Sequence, residues 1–228
     1  MIGIIFAMKE EIDEFLKLVT DIETINIFEL TFYRCRLGNK KLILVESGIG
    51  KVNAARATQI LIDNMMVDYI FNIGVAGSVS DKVNVFDIVL GSKLVQHDFD
   101  ITAFNHEKGY IPNIGVYMNS DEYLLELARN TKVNTNIHEG VIASGDIFVT
   151  SPEMSEKICT KFNALAVEME GSSIAQVCKL CHIPYLVIRS ISDSPNNNSN
   201  NKVTYEEFLE KSSSMVSNYL KDIIEKMI

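Results

Sequence analysis

No stretch of this chain approaches the ~20 consecutive apolar residues that a membrane-spanning helix needs. Basic residues are in deficit: 21 Lys and Arg stand against 30 Asp and Glu, a formal charge of −9. That balance argues against a nucleic-acid or anionic-membrane surface, since both require clustered cations that displace counterions. Cysteine and histidine are also scarce, four of each. Cys178-Lys-Leu-Cys181-His182 has the outline of a haem-attachment or redox motif, but covalent haem attachment belongs to exported chains. The N-terminus has no basic leader region and turns acidic at Glu10, so it does not read as a signal peptide. A zinc site needs four ligands, and no second Cys/His pair of that kind is present. Cys178 and Cys181 fall one turn apart on a predicted helix, where unpaired cysteines behave as small hydrophobes. What these absences leave is an acidic globular chain expected in the cytoplasm, with no nucleic-acid, membrane or metal partner.

Hydrophobic residues make up 47% of the 228 positions, enough for a sizeable core. The pattern alternates strand and helix. Residues 2–7 form a continuous apolar run, the mark of a strand buried on both faces. Residues 9–19 follow, with Ile12, Phe15, Leu16 and Val19 at helical spacing. Strands are predicted over 25–29, 32–37 and 41–45, a helix over 52–65, and strands over 69–73 and 88–95. Ser120 is expected to cap a helix over 121–129, and 137–143 reads as a strand. Ser151-Pro152 opens a further helix as N-cap and first-turn proline. Strand 164–167, helix 171–180 and strand 184–191 follow. After the Asn-rich tract 194–201, read as a mobile loop, Thr204-Tyr-Glu-Glu207 forms a capping box for a last helix running to near Met227. The expected architecture is one α/β domain spanning 1–228, three-layer αβα, with a mixed, largely parallel central sheet.

In open α/β sheets ligands bind beyond the carboxyl ends of the strands. Those ends hold Ala7, Met8, Glu10 and Glu11; Ser47-Gly-Ile-Gly-Lys51; Gly74-Val-Ala-Gly-Ser78; Ser144-Gly-Asp-Ile-Phe-Val149; Glu168-Met-Glu170; and Arg189-Ser-Ile-Ser-Asp193. Ser47–Lys51 is not a phosphate-binding loop, because Val45 and Val52 stand where that motif needs Gly and Ser/Thr. A tight turn, or close backbone approach to a small ligand, accounts for its glycines equally well. Glu168 and Glu170 interrupt an apolar strand end, and a buried carboxylate requires a partner. Structural ion pairing is one reading of them and ligand binding the other. No histidine (97, 106, 138 or 182) falls among these residues, which disfavours a His-activated nucleophile. Carboxylates with one arginine suit acid–base chemistry at a sugar-like carbon that becomes cationic.

Gly3-Ile-Ile-Phe-Ala-Met-Lys-Glu-Glu11, Ser47–Lys51, Ser144–Phe148, Val167-Glu-Met-Glu170 and Arg189–Asp193 together resemble the 5′-methylthioadenosine/S-adenosylhomocysteine nucleosidases. The resemblance implies the nucleoside phosphorylase fold, a cofactor-free and metal-free N-glycosyl hydrolase of methionine salvage, and a homodimer. It makes Asp193 the acid that protonates adenine N7, oriented by Ser192. Glu170 becomes the ribose-binding carboxylate and Glu11 the residue that activates water, with Arg189 near it. Phe148 stacks on adenine, the Val149 backbone reads the purine edge, and Met169 lies beneath the ribose. Ala7, Glu168, Val75, Ala76 and Gly77 complete the substrate wall. Met8, Ile49 and Tyr205 shape the pocket for the 5′-alkylthio group. Ile101, Phe104 and Pro112 match positions that complete a neighbouring subunit's pocket. Many relatives carry Ser where this chain has Val75, and the segment before Thr204 is longer here.

A purine nucleoside phosphorylase is the main alternative enzyme, but Glu10 and Glu11 would repel the phosphate it uses. A futalosine-type hydrolase shares the same acid–base residues. A non-catalytic nucleoside-binding protein need not keep Glu11, Glu170, Arg189 and Asp193 together.

Overall fold

The computed structural model describes residues 1–193 and 208–227 in full, and the backbone of 201–207. In chain order the strands are β1 (Ile2–Phe6), β2 (Thr20–Ile27), β3 (Leu30–Leu37), β4 (Lys40–Glu46), β5 (Tyr69–Ser78), β6 (Ile88–Gln96), β7 (Met118–Asn119), β8 (Ile137–Ser144), β9 (Ala164–Glu168) and β10 (Tyr185–Asp193). The helices are α1 (Lys9–Leu16), α2 (Lys51–Met65), α3 (Glu122–Arg129), α4 (Pro152–Phe162), α5 (Gly171–Cys181) and α6 (Asn201–Lys226).

Strand periodicity divides the core. Ile2, Ile4 and Phe6 of β1 join Ile12 and Phe15 of α1 and Tyr219, Leu220 and Ile223 of α6 on one face of the sheet. Ile5, pointing the other way, packs with Ala54, Ala57 and Leu61 of α2 and Ile174, Ala175 and Cys178 of α5. Helices therefore cover both faces, which is why β1 is buried at all five positions. Cys178 is part of this core, where burial raises its thiol pKa, and Cys181 is half-buried and donates to Gln59.

The strands form one mixed sheet in the order β10-β6-β8-β9-β5-β1-β4-β3-β2. β1 lies between β4 and β5, parallel to both. β10 also pairs in parallel with β5, so β5, β10, β6, β8 and β9 close into a ring. This closure brings the C-terminal ends of β5, β8, β9 and β10 to one place. Among the described residues no helix is long and apolar enough to cross a membrane.

Several boundaries depart from the sequence expectation. β2 begins at Thr20 rather than 25, because its exposed, polar first half carries no alternation to read. α1 ends at Leu16, short of the expected 19. Asp121, not Ser120, caps α3: its Oδ1 accepts from Leu124 N at 3.1 Å, while the Ser120 hydroxyl is spent on Gly91 O. β5 runs on through Gly74–Gly77 instead of stopping at 73. α6 begins at Asn201, so Thr204 lies within the helix rather than at its cap. Residues 194–200, expected as a mobile loop, lie outside the described residues. Ser151 caps α4 as expected, accepting from Met154 N at 3.1 Å.

Candidate active site

A cleft opens at the meeting point of these strand ends, lined by apolar side chains with a few convergent polar groups, as small-molecule sites are. Ala7, Met8, Glu11, Ile49, Val75, Ala76, Gly77, Phe148, Val149, Glu168, Met169, Glu170, Ser192 and Asp193 all line it. Fourteen of the residues singled out from sequence thus converge although they come from six separate segments. Ile147 and Val167, which stand in segments named from sequence but were given no role, line it as well. The cleft wall, among the described residues, holds four carboxylates and no Lys, Arg or His.

Glu11 sits in the first turn of α1, 3% exposed, and its side chain turns back under the β1–α1 junction. Oε2 accepts from Ala7 N at 2.9 Å and Met8 N at 3.1 Å, and Oε1 from Val75 N at 3.1 Å. Gly74 makes the approach possible, since a Cβ there would stand 2.4 Å from Oε1. Burial raises the Glu11 pKa; the charge of Arg189 and the three backbone donors oppose the rise.

Glu170 precedes α5 and is 5% exposed. Its Oε1 accepts from Gly50 N at 2.8 Å. Gly50 has φ +100°, a backbone that L side chains rarely adopt, and this turn aims its N–H at the carboxylate. Burial and then the nearby Glu168 charge hold the Glu170 pKa well above the usual carboxylate range. Asp193 ends β10, 3% exposed, and burial raises its pKa against the hydrogen bond from Ser192, the one opposing bond among the described residues.

Glu168 faces the cleft but is saturated by the protein. It accepts from Arg189, from Glu170 N at 3.1 Å, from Gly171 N at 2.8 Å and from the Ser144 hydroxyl. Arg189, named as a catalytic residue and expected near Glu11, does not line the cleft. Its guanidinium is 1% exposed and donates to Glu168, to Asn72 Oδ1 and to the carbonyls of Asn72 and Ile188. Its reach to Glu11 is electrostatic, through its charge, because its donors are turned toward Asn72 and Glu168. Ser144, named from sequence only within a strand-end segment, is a supporting residue here, and Asn72 is one that sequence reasoning missed; a lone Asn inside the apolar run Tyr-Ile-Phe-Asn-Ile was the available signal for it.

Ile101, Phe104 and Pro112 lie on the segment between β6 and β7 and take no part in this chain's own cleft. Phe104 is 75% exposed. The Tyr205 side chain lies outside the described residues.

The whole chain, residues 1–228, matches the family model described as the phosphorylase superfamily. It is 37% identical over 230 residues to the 5′-methylthioadenosine/S-adenosylhomocysteine nucleosidase of Staphylococcus carnosus, covering 100% of both chains. The crystal structure of the Helicobacter pylori 5′-methylthioadenosine/S-adenosylhomocysteine nucleosidase, complexed with a pyrrolidinol that carries an amino-pyrrolopyrimidine and an alkylthio group, superposes with a TM-score of 0.94 at 37% identity. That alignment covers 99% of this chain and 98% of that one. A structure of Helicobacter pylori futalosine hydrolase is as similar, with a TM-score of 0.94 at 37% identity, covering 99% and 97%.

Proposed function

The chain belongs to the 5′-methylthioadenosine/S-adenosylhomocysteine nucleosidases of the phosphorylase superfamily, and from that membership we propose that it hydrolyses the N-glycosidic bond of both nucleosides. The products are adenine and a 5-thio-substituted ribose. The observation that carries the reading is the division of labour among the cleft carboxylates. Burial raises the pKa of both Asp193 and Glu11; at Asp193, among the described residues, only the Ser192 hydroxyl opposes the rise, which favours the protonated acid. At Glu11 a cation and three backbone donors oppose it, which favours the ionised form by comparison. An acid and a base distinguished by how far their surroundings offset burial suit such a reaction.

Asp193 donates its proton to adenine N7 as the glycosidic bond lengthens, and the bonding electrons leave with the base. Glu170 takes the ribose hydroxyls through its carboxyl oxygens, beside the carbon where the ribosyl cation develops. Glu11 draws a proton from the water that attacks the anomeric carbon. Phe148 and Val149 hold the base, Met169 lies under the sugar, and Met8 and Ile49 face the 5′ substituent.

Phosphorolysis fits this cleft poorly. Two cations on segments beside the cleft are engaged, Arg189 by Glu168 and Lys51 by Asp98. An attacking phosphate would also meet Glu11, at a cost of about 1–4 kcal/mol at contact in water-like to surface-like dielectric. The deciding experiment is cleavage of 5′-methylthioadenosine in phosphate-free buffer. Free methylthioribose is expected, with no sugar phosphate when phosphate is added. An absolute requirement for phosphate would overturn the hydrolase reading.

Futalosine hydrolysis is a second reading, favoured by the equal likeness to the Helicobacter pylori futalosine hydrolase. It would use the same acid and base on a nucleoside of different structure, so kcat/KM for the two substrates ranks them. We further propose that the enzyme is a cytoplasmic homodimer serving methionine salvage, with Ile101, Phe104 and Pro112 closing the partner's 5′ pocket.

A further inference from the structure

We infer that Asp98 is a positioning residue that locks the two loops of the cleft, 47–51 and 145–149, to one another. It stands two residues beyond β6 and touches nothing in the cleft; Oδ1 accepts from Lys51 Nζ at 2.6 Å and Oδ2 from Asp146 N at 2.9 Å. Asp146 in turn accepts from Lys51 N at 2.8 Å through its own Oδ1, capping the N-terminus of α2. The residue before Lys51 is Gly50, whose N–H holds Glu170. Two residues after Asp146 comes Phe148, the aromatic wall. One carboxylate therefore holds a donor for the ribose-side carboxylate on one arm and the base-side wall on the other.

An ordinary surface ion pair would explain only part of this. Such pairs contribute little and join two exposed side chains. Here the two oxygens bind different segments, and one of the partners is a backbone amide whose position sets the path of the following loop. The pair is mostly shielded, with side-chain exposures of 17% for Lys51 and 18% for Asp98. Burial alone would raise the Asp98 pKa; the bonds from Lys51 and Asp146 outweigh it, so the carboxylate stays ionised and accepts on both oxygens. Gln96 adds a second acceptor for Lys51 Nζ at 3.2 Å and is itself tied to Gln176 of α5 at 2.8 Å. The lysine that lends Ser47–Lys51 its likeness to a phosphate-binding loop is thereby given a different task.

Asp98→Asn retains size but has one acceptor oxygen, so one of the two donors must face an NH₂ group. Amide hydrogen exchange on the ligand-free protein reads the lock directly. Faster exchange is expected in both 47–51 and 145–149, with the rest of the sheet unchanged. Asp146→Ala removes only the link to Lys51 N, so exchange is expected to rise in 47–51 and to stay near wild type in 145–149. This selective pattern also serves if Asp98→Asn is too unstable to purify. The second arm is kinetic and rests on the nucleosidase reading. Asp98→Asn is expected to weaken adenine binding and lower kcat/KM for 5′-methylthioadenosine by about 10–100-fold, as a misplaced binding wall does. Unchanged exchange in both loops, equal effects of Asp146→Ala on both loops, or adenine affinity within twofold of wild type would each overturn the proposal. Failure of the wild-type protein to cleave the nucleoside would instead count against the nucleosidase reading, and the exchange arm would still decide the lock.

Discussion

Ser192 donates its hydroxyl hydrogen to Oδ1 of Asp193 at 2.8 Å, while Oδ2 passes over Gly77, where a Cβ would come within 3.2 Å. The hydrogen bond favours the ionised carboxylate and burial favours the neutral acid; burial wins. One oxygen is thus fixed by a neighbour and the other faces the cleft across a residue without a side chain.

Asp193→Asn retains the shape and the bond to Ser192 but has no acidic proton to deliver. Turnover of 5′-methylthioadenosine is expected to fall by at least ~10²-fold, the lower range for loss of a general acid. Binding of adenine should survive. Steady-state kinetics beside calorimetry of adenine binding test both parts, and near-wild-type turnover would remove Asp193 from its role.

The pH profile offers an independent check. kcat/KM should fall on the alkaline side as Asp193 loses its proton and on the acid side as Glu11 gains one. Ser192→Ala deletes the bond that favours the charged form of Asp193, so the Asp193 pKa rises further and the alkaline limb moves to higher pH. A limb that stays in place, or moves down, contradicts the assignment.

Glu170 links function to stability. Its folded-state pKa lies above the unfolded value of about 4.3. Its stabilising contribution is therefore complete below that unfolded value and is lost as pH rises through the raised folded one. Glu170→Gln keeps an acceptor for Gly50 N and has no proton to take up on folding. Its Tm should exceed wild type at neutral pH, by about 2–4 °C for each kcal/mol recovered in a chain of this size. The gap should close toward pH 4 in calorimetric scans, and activity should be lost throughout.

Gly74→Ala tests the placement of Glu11. The added methyl would stand 2.4 Å from Glu11 Oε1 and 3.3 Å from Oε2, so the carboxylate must move. kcat is expected to drop about 10²-fold, with adenine affinity retained because the base wall lies on the 145–149 loop. A variant with wild-type kcat would show that Glu11 need not sit where it does.

Exposed Phe104 motivates the test of assembly. Light scattering is expected to give roughly twice the 25.6 kDa chain mass, and Phe104→Ala to raise KM for 5′-methylthioadenosine more than for adenosine. A fully active monomer at micromolar concentration is the outcome that would refute the shared pocket.

The strand and helix order was readable because buried strands and amphipathic helices leave periodic patterns of apolar residues, as in Ile2–Phe6 and α5. The site residues were readable for the opposite reason: Glu11, Glu168, Glu170 and Asp193 break those patterns, and a charge at a strand end needs an explanation. Local pattern also decided the cap at Ser151, whose partner is three residues away. It was silent on Thr20–Glu23, where a solvated edge imposes no alternation, and it misread Gly74–Gly77 as the end of β5. Those glycines continue the strand because Glu11 and Asp193 occupy the space beside them, and both carboxylates arrive from elsewhere in the chain. The same holds for the division between reacting and supporting groups. Arg189, Glu168 and Glu170 look alike as charged residues near strand ends, yet the ring closure through β5 and β10 turns Arg189 inward to Asn72 and Glu168 and leaves Glu170 at the cleft. Residue types and their order determined which chemistry was available. The pairing of distant strands, which sets burial and hydrogen-bond partners and through them each pKa, decided which of those residues reach the cleft and which are held behind it.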